Sequence, residues 1–210
     1  MKIRLLTIED FDQIERIYYD SFIAERHKRE LRNLPVEKDF EKIAKKDKTW
    51  FDAIKALYLD PLDKHHLMWG AFDDTGNLTV YVCVRTDLPG IWRDGFVFAW
   101  MKGDPSVNNM TNGSLAAIWK EAYAHCEGIG LTKWYWIIEK DRLRKFNAFA
   151  SRSTQFVDDR YDPYTLCDIP KGSKPDIDWV WSMIGRVTSP DTDYIVRAGR
   201  LKQHLIDSKS

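Results

Sequence analysis

The run Trp134-Tyr135-Trp136-Ile137-Ile138 constrains the fold more than any other stretch of the chain. It is wholly apolar, short, and closed off by Lys133 and Glu139, which suits a strand buried on both faces and is too little for a helix. An amphipathic helix precedes it at 114–127 and stops at Gly128 and Gly130, residues that readily leave the helical conformation. Ahead of that helix stands another aromatic, strand-like run, GFVFAWM. Strand, helix and strand in this order form a crossover, so a helix must lie against a sheet face.

The remaining elements fill in around that crossover. HHLMWGAF and LTVYVCVR, joined by Asp73-Asp74-Thr75-Gly76-Asn77, spell a β-hairpin with a glycine-containing turn. After Pro89-Gly90, IWRDGFVFAWM spells the next strand. The chain opens with a strand, KIRLL, and then Thr7 and Asp10 at capping-box spacing. Phe11, Ile14, Ile17, Tyr18 and Phe22 follow at helical spacing, predicting a helix from residue 8 to about 23. From 24 to 64 the sequence is heavily charged, with Leu34, Phe40, Ile43, Trp50, Phe51, Ile54 and Leu57 as an apolar stripe of two helical pieces. Past 139 come a basic helical segment, DRLRKFNAFASRS, two strands within TQFVDDRYDPYTLCDIP and DWVWSMIG, and a tail from Arg186 carrying a short helix. The order β–α–α–β–β–β–loop–α–β–α–β–β predicts a mixed sheet with helices on both sides.

Composition removes several function classes. Lysine plus arginine and aspartate plus glutamate both total 32, a formal net charge of zero. The electrostatic footprint of a nucleic-acid binder is therefore missing, and solubility near neutral pH is modest outside an assembly. Cys83, Cys126 and Cys167 form no CxxC pair and read as buried thiols in a reducing compartment. MKIRLLTIEDFD lacks a signal core, since charge returns at Glu9. No run reaches the roughly 18 apolar residues of a membrane span. The expected location is the cytoplasm, or an assembly formed inside a cell such as a virion, with neither nucleic acid nor membrane as partner.

The head IRLLTIEDFDQIERIYYDSF and the element order together resemble the GNAT superfamily of acyl-CoA-dependent N-acyltransferases. Its members open with an Ile-Arg strand, a Thr or Ser, an acidic pair and an amphipathic helix. After their fourth strand comes a pyrophosphate loop, Gln/Arg-x-x-Gly-x-Gly/Ala, that opens a helix. The resemblance covers roughly residues 1–185, mostly as element order. It implies an α/β (α+β) fold with a mixed, mostly antiparallel sheet of about six to seven strands flanked by helices. It also implies one domain over 1–185, with 24–64 as a charged helical cover and 186–210 as a tail. Acetyl-CoA would be the co-substrate, a small or peptide amine the acceptor, and no metal is called for.

Carried over residue by residue, the motif puts Asn108 at the Gln/Arg position, Thr111 at the first glycine and Gly113 at the second. The pantetheine arm would run along the Phe98–Met101 edge and the pyrophosphate would rest on amides of Thr111, Asn112, Gly113 and Ser114. Arg144 or Arg152 in the basic segment would reach a phosphate. The implied cofactor-binding set is thus Met101, Asn108, Thr111, Asn112, Gly113, Ser114 and Arg144. Only Gly113 keeps the family's glycine; Thr111 brings a β-branched side chain that restricts its backbone. Asn109 and Asn112 reach left-handed conformations more readily than most residues, and Asn112 or Ser114 would cap the helix. The same loop also reads as an ordinary Asn/Ser-capped connection that binds nothing, and the basic segment as an outer helix face covering Phe146 and Phe149.

The catalytic positions depart further from the family. FVFAWM has no carboxylate to serve as base, and Asp94 and Asp104 at its ends read as solvated turn residues. The family's tyrosine acid falls on Ser151, counting back from Gln155-Phe156, and a serine hydroxyl protonates a leaving thiolate poorly. No catalytic residue is assigned. His65 and His66 point to opposite faces of a strand and share no metal easily, even with Asp60 and Asp63 nearby. Two functions remain: an N-acyltransferase relying on proximity, and an inactive GNAT-like structural or interaction protein with protein partners or copies of itself. Eroded GNAT-like chains also occur among tailed-phage proteins, and for an assembly component of that kind 24–64 and the basic stretch 197–209 would be docking surfaces.

Overall fold

A computed structural model describes residues 1–31, 51–52, 55–88, 90–109, 113–139, 160–169 and 193–207. The first strand, β1 (Lys2–Leu5), leads through a 3-10 turn (Ile8–Asp10) into α1 (Phe11–Leu31). Then come β2 (His66–Phe72), β3 (Leu78–Arg85), a second 3-10 turn (Gly90–Trp92) and β4 (Gly95–Gly103). Helix α2 (Ser114–Gly128), β5 (Lys133–Glu139), β6 (Tyr161–Ile169), β7 (Tyr194–Leu201) and α3 (Gln203–Asp207) complete the described elements. The strands form one seven-stranded sheet in the order β1-β2-β3-β4-β5-β7-β6. The registers β1–β2, β5–β7 and β6–β7 are antiparallel and β4–β5 is parallel, so the sheet is mixed and mostly antiparallel with helices between its strands.

Contacts divide the chain into two compact units, Met1–Val84 with Trp100–Glu121, and Arg85–Ala99 with Ala122–Ser210. In the first, the head motif has a direct physical basis. Arg4 Nη1 and Nη2 donate to Asp10 Oδ2 and Oδ1, each at 2.7 Å, a bidentate fork. Thr7 N donates to Asp10 Oδ2 at 2.9 Å, so one carboxylate both anchors the strand and closes the start of the helix. Burial alone would raise the Asp10 carboxyl, but the bonds from Arg4 and Thr7 outweigh it and hold it below the usual range. Ile14 and Ile17 on α1 are fully buried. The ring of Phe51 meets Phe11, Tyr18 and Tyr19 of α1 at 4.9–5.9 Å, so that part of the 24–64 stripe is laid on this helix.

Strands β2 and β3 are buried along almost their whole length. Their turn is built as the spacing predicts: Gly76 has φ +87°, and Asp73 Oδ1 accepts from Thr75 N and Asn77 N. The second unit is knit by aromatic rings: Phe96 and Phe98 of β4 each lie 5.7 Å from Tyr123 of α2, and Tyr123 lies 5.1 Å from Tyr161 of β6. Arg160 Nη1 and Tyr161 Oη donate to the buried Glu127 carboxylate at 3.0 and 3.1 Å. The β4–β5 ladder covers four pairs, Gly95↔Lys133 to Phe98↔Trp136, whereas β5–β7 covers seven, Lys133↔Arg200 to Glu139↔Tyr194.

The structure corrects three boundaries. Helix α1 runs to Leu31 instead of ending near 23, because no glycine or proline interrupts it and Arg26 Nε pairs with Glu30 Oε1 at 2.8 Å across one turn. The strand expected from Ile91 begins at Gly95, behind the 3-10 turn. Residues 194–201, expected within the tail, are the strand β7 between β5 and β6; the short helix of that stretch is present as α3. Gly199 looks like a breaker there, yet it is required: a Cβ at Gly199 would stand 2.3 Å from the Trp134 indole. DWVWSMIG, the second expected strand after 139, and the basic segment 141–153 lie outside the described residues.

Candidate anion-binding loop

The end of β4, the start of β3 and the start of α1 are tied together within the first unit. Gln13 Oε1 accepts from Leu78 N at 2.7 Å, and Arg16 Nη2 donates to Leu78 O at 3.3 Å, so α1 holds the first residue of β3 from both sides. Thr79 O accepts from Asp104 N at 2.7 Å, which fixes the point where β4 gives way to the loop. Asp104 is no solvated turn residue, contrary to expectation: Arg16 Nη1 donates to its Oδ2 at 2.9 Å, and Ser106 N and Oγ donate to its Oδ1. Burial opposes the charge, and the bonds from Ser106 and Arg16 outweigh it and lower the Asp104 carboxyl. Asp94, at the other end of β4, is likewise partnered, with Lys133 Nζ 2.5 Å from its Oδ2.

Along the loop, Val107 N donates to Asp104 O at 3.1 Å and Asn109 N to Val107 O at 3.0 Å. Asn109 is 7% exposed, and its Nδ2 donates to Thr79 O at 2.9 Å, the same carbonyl that receives Asp104 N. Room for that carboxamide exists because residue 103 is glycine: a Cβ there would lie 3.0 Å from Asn109 Nδ2. Local sequence patterning carries no sign of this contact, since Thr79 and Asn109 are thirty residues apart.

Helix α2 starts directly behind Gly113. Ala117 N donates to Gly113 O at 3.0 Å, so Gly113 is the cap, where Asn112 or Ser114 was expected, and Ser114 is the first helical residue. Gly113 has φ +79° and nothing within 4 Å of where a Cβ would be, so the glycine is needed for its backbone and not for space. A glycine cap brings no side-chain acceptor to the first amides of the helix, which point outward along its positive end. The buried Ser114 hydroxyl donates to Met1 Sδ at 3.2 Å.

Of the implied cofactor set, the structure brings Asn108, Gly113 and Ser114 to the connection between β4 and α2, with Asn108 exposed at its surface. Met101, 39% exposed, stands on β4 itself. Thr111, Asn112 and Arg144 lie outside the described residues, as do Ser151 and the rest of the basic segment. Elsewhere, Cys83 and Cys126 are buried free thiols; burial pushes Cys83 well up and Cys126 up to about 12, so neither is a ready thiolate. Asp63 Oδ1 accepts from the amides of His65 and His66, and Asp63 Oδ2 meets His66 Nδ1 at 2.8 Å, a turn-closing arrangement. Among the described residues no group of three His, Cys, Asp or Glu could hold a metal, and no helix is long and apolar enough to cross a membrane.

No protein-family model matches the chain, and no curated protein sequence matches it. Solved structures do match. The chain is similar to an acetyltransferase of the GNAT family from Staphylococcus aureus Mu50, at 12% identity and TM-score 0.56 over 96% of this chain and 99% of that one. It is similar to the ribosomal-protein-alanine N-acetyltransferase from Brucella melitensis, at 12% identity and TM-score 0.54 over 96% and 100%. It is also similar to the PaiA N-acetyltransferase from Thermoplasma acidophilum in complex with coenzyme A, at 10% identity and TM-score 0.55 over 94% and 98%. The chain has a GNAT-like fold, as the head motif and element order led one to expect.

Proposed function

We propose that the chain is an acyl-CoA-dependent N-acyltransferase that moves an acetyl group from acetyl-CoA to a small or peptide amine. The observation that carries this reading is Gly113: the residue at the family's second glycine has φ +79° and opens α2 after β4 of a GNAT-like sheet. A diphosphate fits such a place, because the first amides of a 15-residue helix supply donors and a positive dipole, and a side-chain-free cap lets an anion approach. Met101, Asn108, Gly113 and Ser114 are the described residues that would meet the donor, its pantetheine arm lying along β4 beyond Phe98.

In the reaction the unprotonated amine attacks the thioester carbonyl, the carbon–sulfur bond breaks, and the thiolate of CoA leaves. One proton passes from the amine to water and one from water to the thiolate. The β4 sequence GFVFAWMKG offers no carboxylate as base, so rate enhancement rests on holding the reactants together. A lysine-like amine then loses its own proton with a pKa of about 10, and kcat/KM climbs about tenfold per pH unit below that value. The cytoplasm suits such a donor.

The direct test is isothermal titration of the whole chain with acetyl-CoA and desulfo-CoA. Binding of both supports the reading, and no heat with millimolar ligand overturns it. The missing carboxylate favours a second reading, an inactive GNAT-like structural or interaction protein such as a phage-encoded assembly component, bound to protein partners or to its own copies. Binding without turnover of any amine across a panel, together with self-association in solution, would favour that alternative.

A further inference from the structure

The geometry points to Asn109 as a positioning residue for the diphosphate site proposed above, and the inference rests on that reading. Its Nδ2 donates to Thr79 O at 2.9 Å and stands 3.4 Å from Val107 O. Because Thr79 O also receives Asp104 N at 2.7 Å, a single carbonyl of β3 pins both ends of the segment 104–109. Only residues 110–112 separate that pinned end from Gly113 and the first turn of α2. Asn109 thereby fixes the chain four residues ahead of Gly113, where the amides proposed to receive the anion begin.

A purely structural role explains the residue less well. Among the described residues its buried Oδ1 has no hydrogen-bond partner, and burying an unsatisfied carbonyl oxygen opposes folding. Alanine at this place would remove that unfavourable burial along with the bond to Thr79, so the two effects on stability offset one another. The cost of the substitution should fall instead on the placement of the loop. The orientation of the amide follows from its neighbours: two carbonyl oxygens face one end of it, and only Nδ2 can donate to them.

The test compares CoA with pantetheine, which has the same arm and no diphosphate, as ligands of the whole chain by calorimetry. For Asn109→Ala the expected result is a loss of about tenfold in CoA affinity, the size one ordinary hydrogen bond supports. Pantetheine affinity should stay within about twofold, and the thermal midpoint within a few degrees of the parent. Asn109→Asp, which keeps the shape but sets a carboxylate oxygen against Thr79 O, should lose CoA affinity at least as far. Equal CoA affinity in parent and variants, or parallel loss of CoA and pantetheine, overturns the inference while leaving the proposed function standing. A parent chain that binds no CoA overturns both. An Asn109→Ala chain that fails to fold contradicts the argument from the unsatisfied oxygen and assigns the residue to stability alone.

Discussion

The starts of α1 and α2 both fall in the first unit, and they are built in opposite ways. At α1 the start is closed by the protein itself: Asp10 takes Arg4 with both oxygens and Thr7 N as well. At α2 the cap is Gly113, which has no side chain to offer, while the segment 104–109 ahead of it is braced by the bonds of Asp104 and Asn109 to Thr79. The first arrangement consumes its hydrogen-bonding capacity within the fold. The second braces the approach and ends on a cap residue with no side chain of its own, as a site for an outside anion requires.

The sharpest way to break the comparison is to remove the carboxylate at the closed end. Asp10→Ala strands Arg4 and the Thr7 amide and is expected to cost about 2–3 kcal/mol in denaturant unfolding, below the fully buried range because Arg4 stays partly solvated. Acetyl-CoA affinity of the folded variant should be unchanged. The same carboxyl gives an acid signature. Its pKa is lowered in the fold, so its stabilisation is present above the unfolded value of 3.8 and is lost as pH falls through the lower folded value. The parent should therefore lose stability below about pH 4 more steeply than Asp10→Ala.

At the open end the effects on stability are smaller and those on binding larger. Gly113→Ala forces a side chain into the left-handed region and should cost about 1 kcal/mol, with weakened acetyl-CoA binding as the stronger readout. Full affinity in that variant would show that the helix start is not where the donor binds. Gly103→Ala presses a methyl group on Asn109 Nδ2 and should cost up to about 1 kcal/mol, with a milder loss of affinity. Thr111→Gly restores the family's glycine and should raise acetyl-CoA affinity by about two- to fivefold, a gain of well under 1 kcal/mol. An unchanged affinity would clear Thr111 of weakening the loop.

The same contrast explains what the sequence disclosed. The head was legible because its partners are close: Thr7 is three residues from Asp10, and Arg4 six. Hairpin, crossover helix and the apolar run of β5 were legible from periodicity and turn chemistry. The loop's bracing was not, because Asn109 finds Thr79 thirty residues away and Asp104 finds Arg16 eighty-eight residues away. Nor was β7, where Gly199 and two arginines hide a strand that becomes apparent only once Trp134 lies across that glycine. Gly113 stood out as a motif residue, while its role as the helix cap emerged only from its backbone.

The most direct measurement is an amide-resolved NMR titration of the whole chain with CoA. The account predicts that the largest shift changes, saturating together, fall on the amides of Gly113, Ser114 and Leu115, while those of Thr7 to Asp10 stay in place. Saturable shifts confined to other parts of the chain, or none at millimolar CoA, would contradict it.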